Sequence, residues 1–195
     1  MCSTHAMRLL PITRLTDSQD QGDKVSIQFA DGSTATANLV IGCDGVHSAV
    51  RAQFTTDKAR YSGQIAYRGL VPISAIESWW GFDAYSVMWL GKDRHMLVFP
   101  ISQSKTLNIV AFVAEPRENL GDLRESWTSL GEKKDVFRAF EGFEERVQKL
   151  IGLMEDRPSK WLINDRAPLD QWVYLEGKAA LLGDAAHAMT PHQGW

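Results

Sequence analysis

The chain has 195 residues, 44% apolar and 23% charged, with a net charge of −3, an ordinary globular balance at a length that allows one domain or two small ones. No run reaches the roughly 18 apolar residues a membrane span needs, and the opening MCSTHAMRLLPITR lacks the apolar core and cleavage site of a secretory signal. No basic cluster interleaves with aromatics, and Cys2 and Cys43 alone cannot make a zinc site. The expectation is therefore a cytoplasmic chain with no membrane span, no nucleic-acid partner and no metal, its oligomeric state not legible.

Residues 24–41 read as a hairpin. Val25, Ile27 and Phe29 alternate with polar residues, Asp31-Gly32 marks the turn, and Leu39, Val40 and Ile41 form a buried strand. Gly42-Cys43-Asp44-Gly45 breaks that strand, and HSAVRAQF predicts a short helix. Strand signals return at Gln64–Ile73, Tyr85–Leu90, His95–Ile101 and Leu107–Val113, with no crossover helix between them, so the sheet they form is antiparallel. From Asn119 to about Met154 the spacing of Trp127, Leu130, Val136, Phe137, Phe140, Phe143, Val147, Leu150 and Ile151 predicts helix, with Gly142 separating two. WLINDRAPLDQW then reads as a polar-interrupted strand, Glu176-Gly177 as a turn, and a last buried strand runs into Gly183. The middle differs in texture from both ends. It predicts a sheet-plus-helix domain at 59–165, inserted between two pieces of another domain at 1–58 and 166–195.

Two stretches share one design: a buried strand, then Gly and Asp, then a helix start. They are LVIGCDGVHSAVR (39–51) and ALLGDAAHAMTP (180–191). A carboxylate at a strand's carboxyl end can accept hydrogen bonds from sugar hydroxyls, and the following helix start presents free N–H groups to a phosphate. Asp as a helix N-cap in an ordinary Gly–Asp turn explains either site equally well, and both readings stay open on spacing alone.

The residue identities narrow the choice. GCDGVHSAVR and GDAAHAMTPHQG resemble the "DG" and "GD" motifs of the class A flavin-dependent aromatic hydroxylases, and within them the salicylate hydroxylase-like enzymes. YSGQIAYRGLVP (61–72) is similar to the strand that opens the substrate domain in that branch, and WLINDRAPLDQW carries its Asp-Arg pair. The fold this implies is α+β / α/β, p-hydroxybenzoate hydroxylase-like: a partial Rossmann-like FAD-binding domain with an inserted mixed-sheet substrate domain. The same family opens with a strand and a G-x-G-x-x-G turn, and no G-x-G triplet occurs in this chain. It also continues past its GD motif with a small residue and a long helix, where this chain has Trp195. The resemblance thus implies an internal piece of a larger protein. Leu39–Ile41 and Ala180–Leu182 are expected to expose apolar surface or pair edge to edge, and FAD to bind weakly or not at all.

By resemblance, the activity is FAD- and NAD(P)H-dependent hydroxylation of a small aromatic acid such as salicylate with dioxygen, through a flavin hydroperoxide. Asp184 would contact the ribityl chain, Gly183 and Ala185 shape the phosphate side, and Asp44, Gly45 and Arg51 lie at the dinucleotide. Pro191 and Gly194 belong to the turn at the flavin, His192 stands next to the substrate, and Arg68 reaches flavin or substrate. Bland alternatives stand beside these. Arg68 on a strand also suits a surface ion pair, His187 a packing role, and His47 a solvated cap. Cys43 reads as packing rather than a redox thiol, and Trp79, Trp80 and Trp89 as core more than pocket wall. Two other functions remain: a catalytically inactive fold remnant binding a ligand or partner, and a related flavoenzyme such as an epoxidase or halogenase.

Overall fold

The structure, a computed structural model, describes residues 14–121 and 129–192; Cys2, Trp127 and Gly194 lie outside them. The chain divides into two compact units, Met1–Arg60 with Asn164–Trp195, and Tyr61–Ile163.

In the first unit, β1 (Leu15–Asp20), β2 (Val25–Phe29) and β3 (Thr34–Ala37) form an antiparallel meander. The predicted Asp31-Gly32 turn is present, with Gly32 at φ +82°, but the strand returning from it is the Thr/Ala run Thr34–Ala37, in register Val25↔Ala37 to Gln28↔Thr34. The apolar triplet expected as the hairpin's second arm instead contributes β4 (Val40–Gly42) to another sheet, of order β10-β11-β4, with β10 (Val173–Tyr174) and β11 (Ala179–Leu181). The triplet is not buried throughout. Val40 and Leu181 point into the core beside Val25, Val50, Ala185 and Ala186, while Leu39, Ile41 and Leu182 are exposed, because a pleated strand sends alternate side chains to opposite faces. HSAVRAQF makes a turn and one 3-10 segment, Arg51–Gln53, rather than a longer helix.

The second unit holds the sheet β6-β7-β8-β5-β9, built from β5 (Arg60–Pro72), β6 (Val87–Gly91), β7 (Arg94–Ile101), β8 (Thr106–Ala114) and β9 (Ser159–Asp165). The pairs β6–β7, β7–β8 and β8–β5 are antiparallel, as the absence of crossover helices requires. α1 (Lys133–Ala139) and α2 (Glu145–Leu153) lay Val136, Val147, Leu150 and Ile151 on one face of this sheet against Ile65, Val71, Met96, Val98 and Ile109. Gly142, at φ +82°, stands between the helices as predicted. Leu130 is not helical: it bridges to Ser159 and is half-exposed. Trp80 is buried in this core and Trp79 and Trp89 pack against it, the filling role expected of large aromatics.

Gly69, in the middle of β5, permits this packing. A Cβ there would stand 2.5 Å from Met154 Cγ and 3.2 Å from its Cβ, an atom fixed to the backbone.

A fully buried cation organises the first unit. Arg51 donates from Nε to Asp57 Oδ1 (3.0 Å), from Nη1 to the carbonyls of Ala185 (3.2 Å) and Ala186 (2.8 Å), and from Nη2 to Asp57 Oδ2 (2.7 Å) and the Ala167 carbonyl (2.9 Å). These use all five guanidinium N–H groups, and the residue has no exposed surface. The peripheral pair Arg60–Asp165 (3.0 Å) has an arginine side chain 63% exposed, so solvent screens it.

Two outcomes follow for stability. Gly69→Ala should lower the second unit's stability by about 1–3 kcal/mol through overpacking, read by urea unfolding. Arg51→Met should cost the first unit about 3–5 kcal/mol, because it takes two hydrogen bonds from the Asp57 carboxylate and leaves three carbonyls unmet. Arg60→Met should stay within roughly 1 kcal/mol; equal costs for the two arginines would contradict the assignment.

Candidate functional site

The two Gly–Asp turns, remote in sequence, leave neighbouring strands. β4 and β11 pair in parallel, Ala179↔Val40, Ala180↔Ile41 and Leu181↔Gly42, and the Leu182 N–H extends the ladder to the Gly42 carbonyl at 2.9 Å. Both chains therefore turn off at the same edge, the carboxyl end where ligands of open α/β sheets bind. Gly42 makes the approach possible. A Cβ there would meet Val50 Cβ at 2.8 Å and Leu181 Cδ2 at 3.0 Å, so the helical turn after β4 folds directly onto the strand.

In the first turn Asp44 works on its own backbone. Its Oδ1 accepts from the Ser48 hydroxyl (2.5 Å) and its Oδ2 from the N–H groups of Ala49 (2.6 Å) and Val50 (3.2 Å); it closes the loop ahead of the 3-10 segment rather than capping it, since the N-cap position there is Val50. Gly45, at φ +78°, takes the reversal that an L side chain disfavours. Beside this turn lies a cleft of about 440 Å³ lined by Arg14, Ile41, Cys43, Asp44 and His47 among others, within the range of small-molecule sites. Cys43, read as a packing residue, is exposed there; it follows the last residue of β4 and points away from the core.

The second turn is more open. Gly183 adopts φ +62° and ψ −139°, and a Cβ on it would meet nothing within 4 Å, leaving free space in front of the backbone. Asp184 starts α3 (Asp184–His187) with an exposed side chain, while Ala185 and Ala186 are buried. His187 packs on Trp172, ring centroids 5.2 Å apart, the packing role expected of it. Pro191 and His192 are exposed beyond the helix, and the His192 N–H donates to the Thr190 carbonyl at 2.8 Å. Open backbone at Gly183, an outward carboxylate at Asp184 and the cleft beside Asp44 form a donor and acceptor set that fits a polyhydroxylated, phosphate-bearing cofactor such as FAD.

Arg51 occupies a place different from the one implied. It is buried behind both turns with no donor left for a phosphate, since Asp57 and the carbonyls of Ala167, Ala185 and Ala186 have claimed its whole fork. Arg68, in the second unit, stands exposed on β5 and donates from Nε to Oδ1 of the buried Asn108 at 2.6 Å.

Two residues escaped the sequence reading as parts of this assembly. Asp57 lies in the loop after the 3-10 segment; burial opposes its charge, but hydrogen bonds from Arg51, Thr55 and Arg166 outweigh this and hold its carboxyl well below the usual range. Arg166, the arginine of the Asp-Arg pair, donates from Nε to the Val46 carbonyl (2.7 Å) and from Nη1 to the Asp57 carbonyl (2.8 Å). The Asp-Arg pair was the one signal in the sequence that pointed here.

Comparison with known proteins places this geometry. The FAD binding domain family matches residues 5–195. A FAD-dependent monooxygenase of Aspergillus niger, azaH, is 41% identical over 175 residues, covering 86% of this chain and 40% of the relative. Among solved structures, a substrate complex of salicylate hydroxylase superposes with a TM-score of 0.75 at 32% identity, covering 93% of this chain and 47% of the other. Klebsiella pneumoniae HpxO, complexed with FAD and uric acid, superposes at 0.76 and 31% identity, covering 92% and 44%. The chain thus spans less than half the length of each. The fold, α+β with several sheets, is that of the p-hydroxybenzoate hydroxylase-like flavoprotein hydroxylases. The chain belongs to the FAD binding domain family, and its relatives there are salicylate hydroxylase-like FAD-dependent monooxygenases.

Proposed function

We propose that this chain forms part of an FAD- and NAD(P)H-dependent monooxygenase that hydroxylates a small aromatic acid such as salicylate, using dioxygen. The observation that carries the reading is the parallel pairing of β4 with β11, which sets both Gly–Asp turns at one sheet edge. FAD, when bound, supplies the redox chemistry that activates dioxygen, with NAD(P)H as the reductant. The chain's own part is holding and shaping. Asp184 accepts from the ribityl hydroxyls, Gly183 and Ala185 give the phosphates close access to backbone, and the turn around Asp44 and Gly45 borders the dinucleotide. Pro191 approaches the flavin edge. His192 polarises a phenol or pairs with a carboxylate of the substrate, and Arg68 offers a fixed cation to an anionic group. Arg51 serves from behind, by holding the two turns.

A second reading, an inactive scaffold that binds another ligand or partner, draws on the exposed Leu39, Ile41 and Leu182. A titration of FAD with the purified chain, followed by flavin fluorescence, separates the two. Saturable quenching weakened on the order of tenfold or more by Asp184→Ala supports the cofactor site. No binding at high micromolar FAD, with a folded circular-dichroism signal, favours the scaffold.

A further inference from the structure

We infer that Asp57 is a positioning residue that locks the two Gly–Asp turns into one register, with Arg166 as its second arm; this rests on reading those turns as the cofactor site. The Asp57 carboxylate accepts four hydrogen bonds from three side chains: two from Arg51, at 3.0 and 2.7 Å, one from the Thr55 hydroxyl at 2.5 Å, and one from Arg166 Nη1 at 3.1 Å. Each arginine then reaches one turn. Arg51 extends 134 and 135 residues along the chain to the carbonyls of Ala185 and Ala186, in the helix that Asp184 begins. Arg166 extends 120 residues back to the Val46 carbonyl, inside the turn that Gly45 begins. One carboxylate therefore sets where both turns stand relative to each other.

The chemistry requires an anion at that point. The arginine side chains are 0% and 6% exposed, and without the carboxylate two like charges would face each other with little water to screen them. Bidentate contact with Arg51 fixes direction as well as distance. The cluster of two arginines and one aspartate also carries one net positive charge behind the turns.

That net charge makes the test one of sign. Asp57→Asn keeps the shape and removes the negative charge, so electrostatics alone would hold or strengthen binding of an anionic cofactor, whereas loss of position weakens it. The experiment measures backbone hydrogen exchange and FAD affinity for the unaltered chain, Asp57→Asn and Arg166→Lys. Exchange is expected to rise by at least about tenfold in residues 43–50 and 183–188 together, with the 25–37 hairpin unchanged, and FAD binding to weaken by about tenfold or more. Unchanged exchange at both turns, or a uniform rise across the unit, would overturn the inference, as would unfolding of both variants or tighter FAD binding by Asp57→Asn. If the unaltered chain binds no FAD, the cofactor reading fails while the exchange pattern still decides the role of Asp57.

Discussion

Everything at this sheet edge depends on keeping one guanidinium dry. Arg51 is enclosed in the first unit with five donors and five matched acceptors, two on Asp57 and three on backbone carbonyls. A buried arginine is tolerable only under that condition, because each unmet donor would cost on the order of 1–3 kcal/mol. The acceptors come from three stretches of chain, two of them more than 100 residues away. Satisfying the cation therefore dictates where the loop at Asp57, the residues after β9 and the end of α3 stand.

The parallel pair β4–β11 provides the other half of the design. Hydrogen bonds along the ladder align the strand ends, and the lack of a side chain at Gly42 lets the following turn fold back onto Val50 and Leu181. The ladder brings the turns level; the buried arginine and its carboxylate hold them there. Side chains with free space around them, Asp184 above all, are then aimed by backbone that has little freedom to move.

Local patterns in the sequence were legible where a short-range rule decides the outcome. The 3–4 spacing of Val136, Val147, Leu150 and Ile151 gave the two helices, the alternation in Val25–Phe29 gave a strand, and Asp31-Gly32 gave its turn. The reading went astray where a tertiary partner decides. Thr34–Ala37 lacks apolar strength yet pairs with β2, and that freed Val40–Gly42 to pair with β11, a strand far along the chain. Leu130 fits a helical spacing but its backbone bridges to Ser159. At the site, the two motifs were visible as residue types, whereas the burial of Arg51 was not, because three of its acceptors are carbonyls, which no side-chain pattern reveals. Asp57 in TTDKAR looks like any solvated loop acid until Arg166 is placed beside it.

The most direct measurement is an amide-resolved NMR titration of the chain with FAD. If the turns after β4 and β11 form one site, shifts should appear together in residues 43–50 and 183–187, with a common saturation curve, while the β5–β8 strands of the other unit show smaller changes. Shifts confined to one turn, or two curves with different midpoints, would contradict a single site built from both.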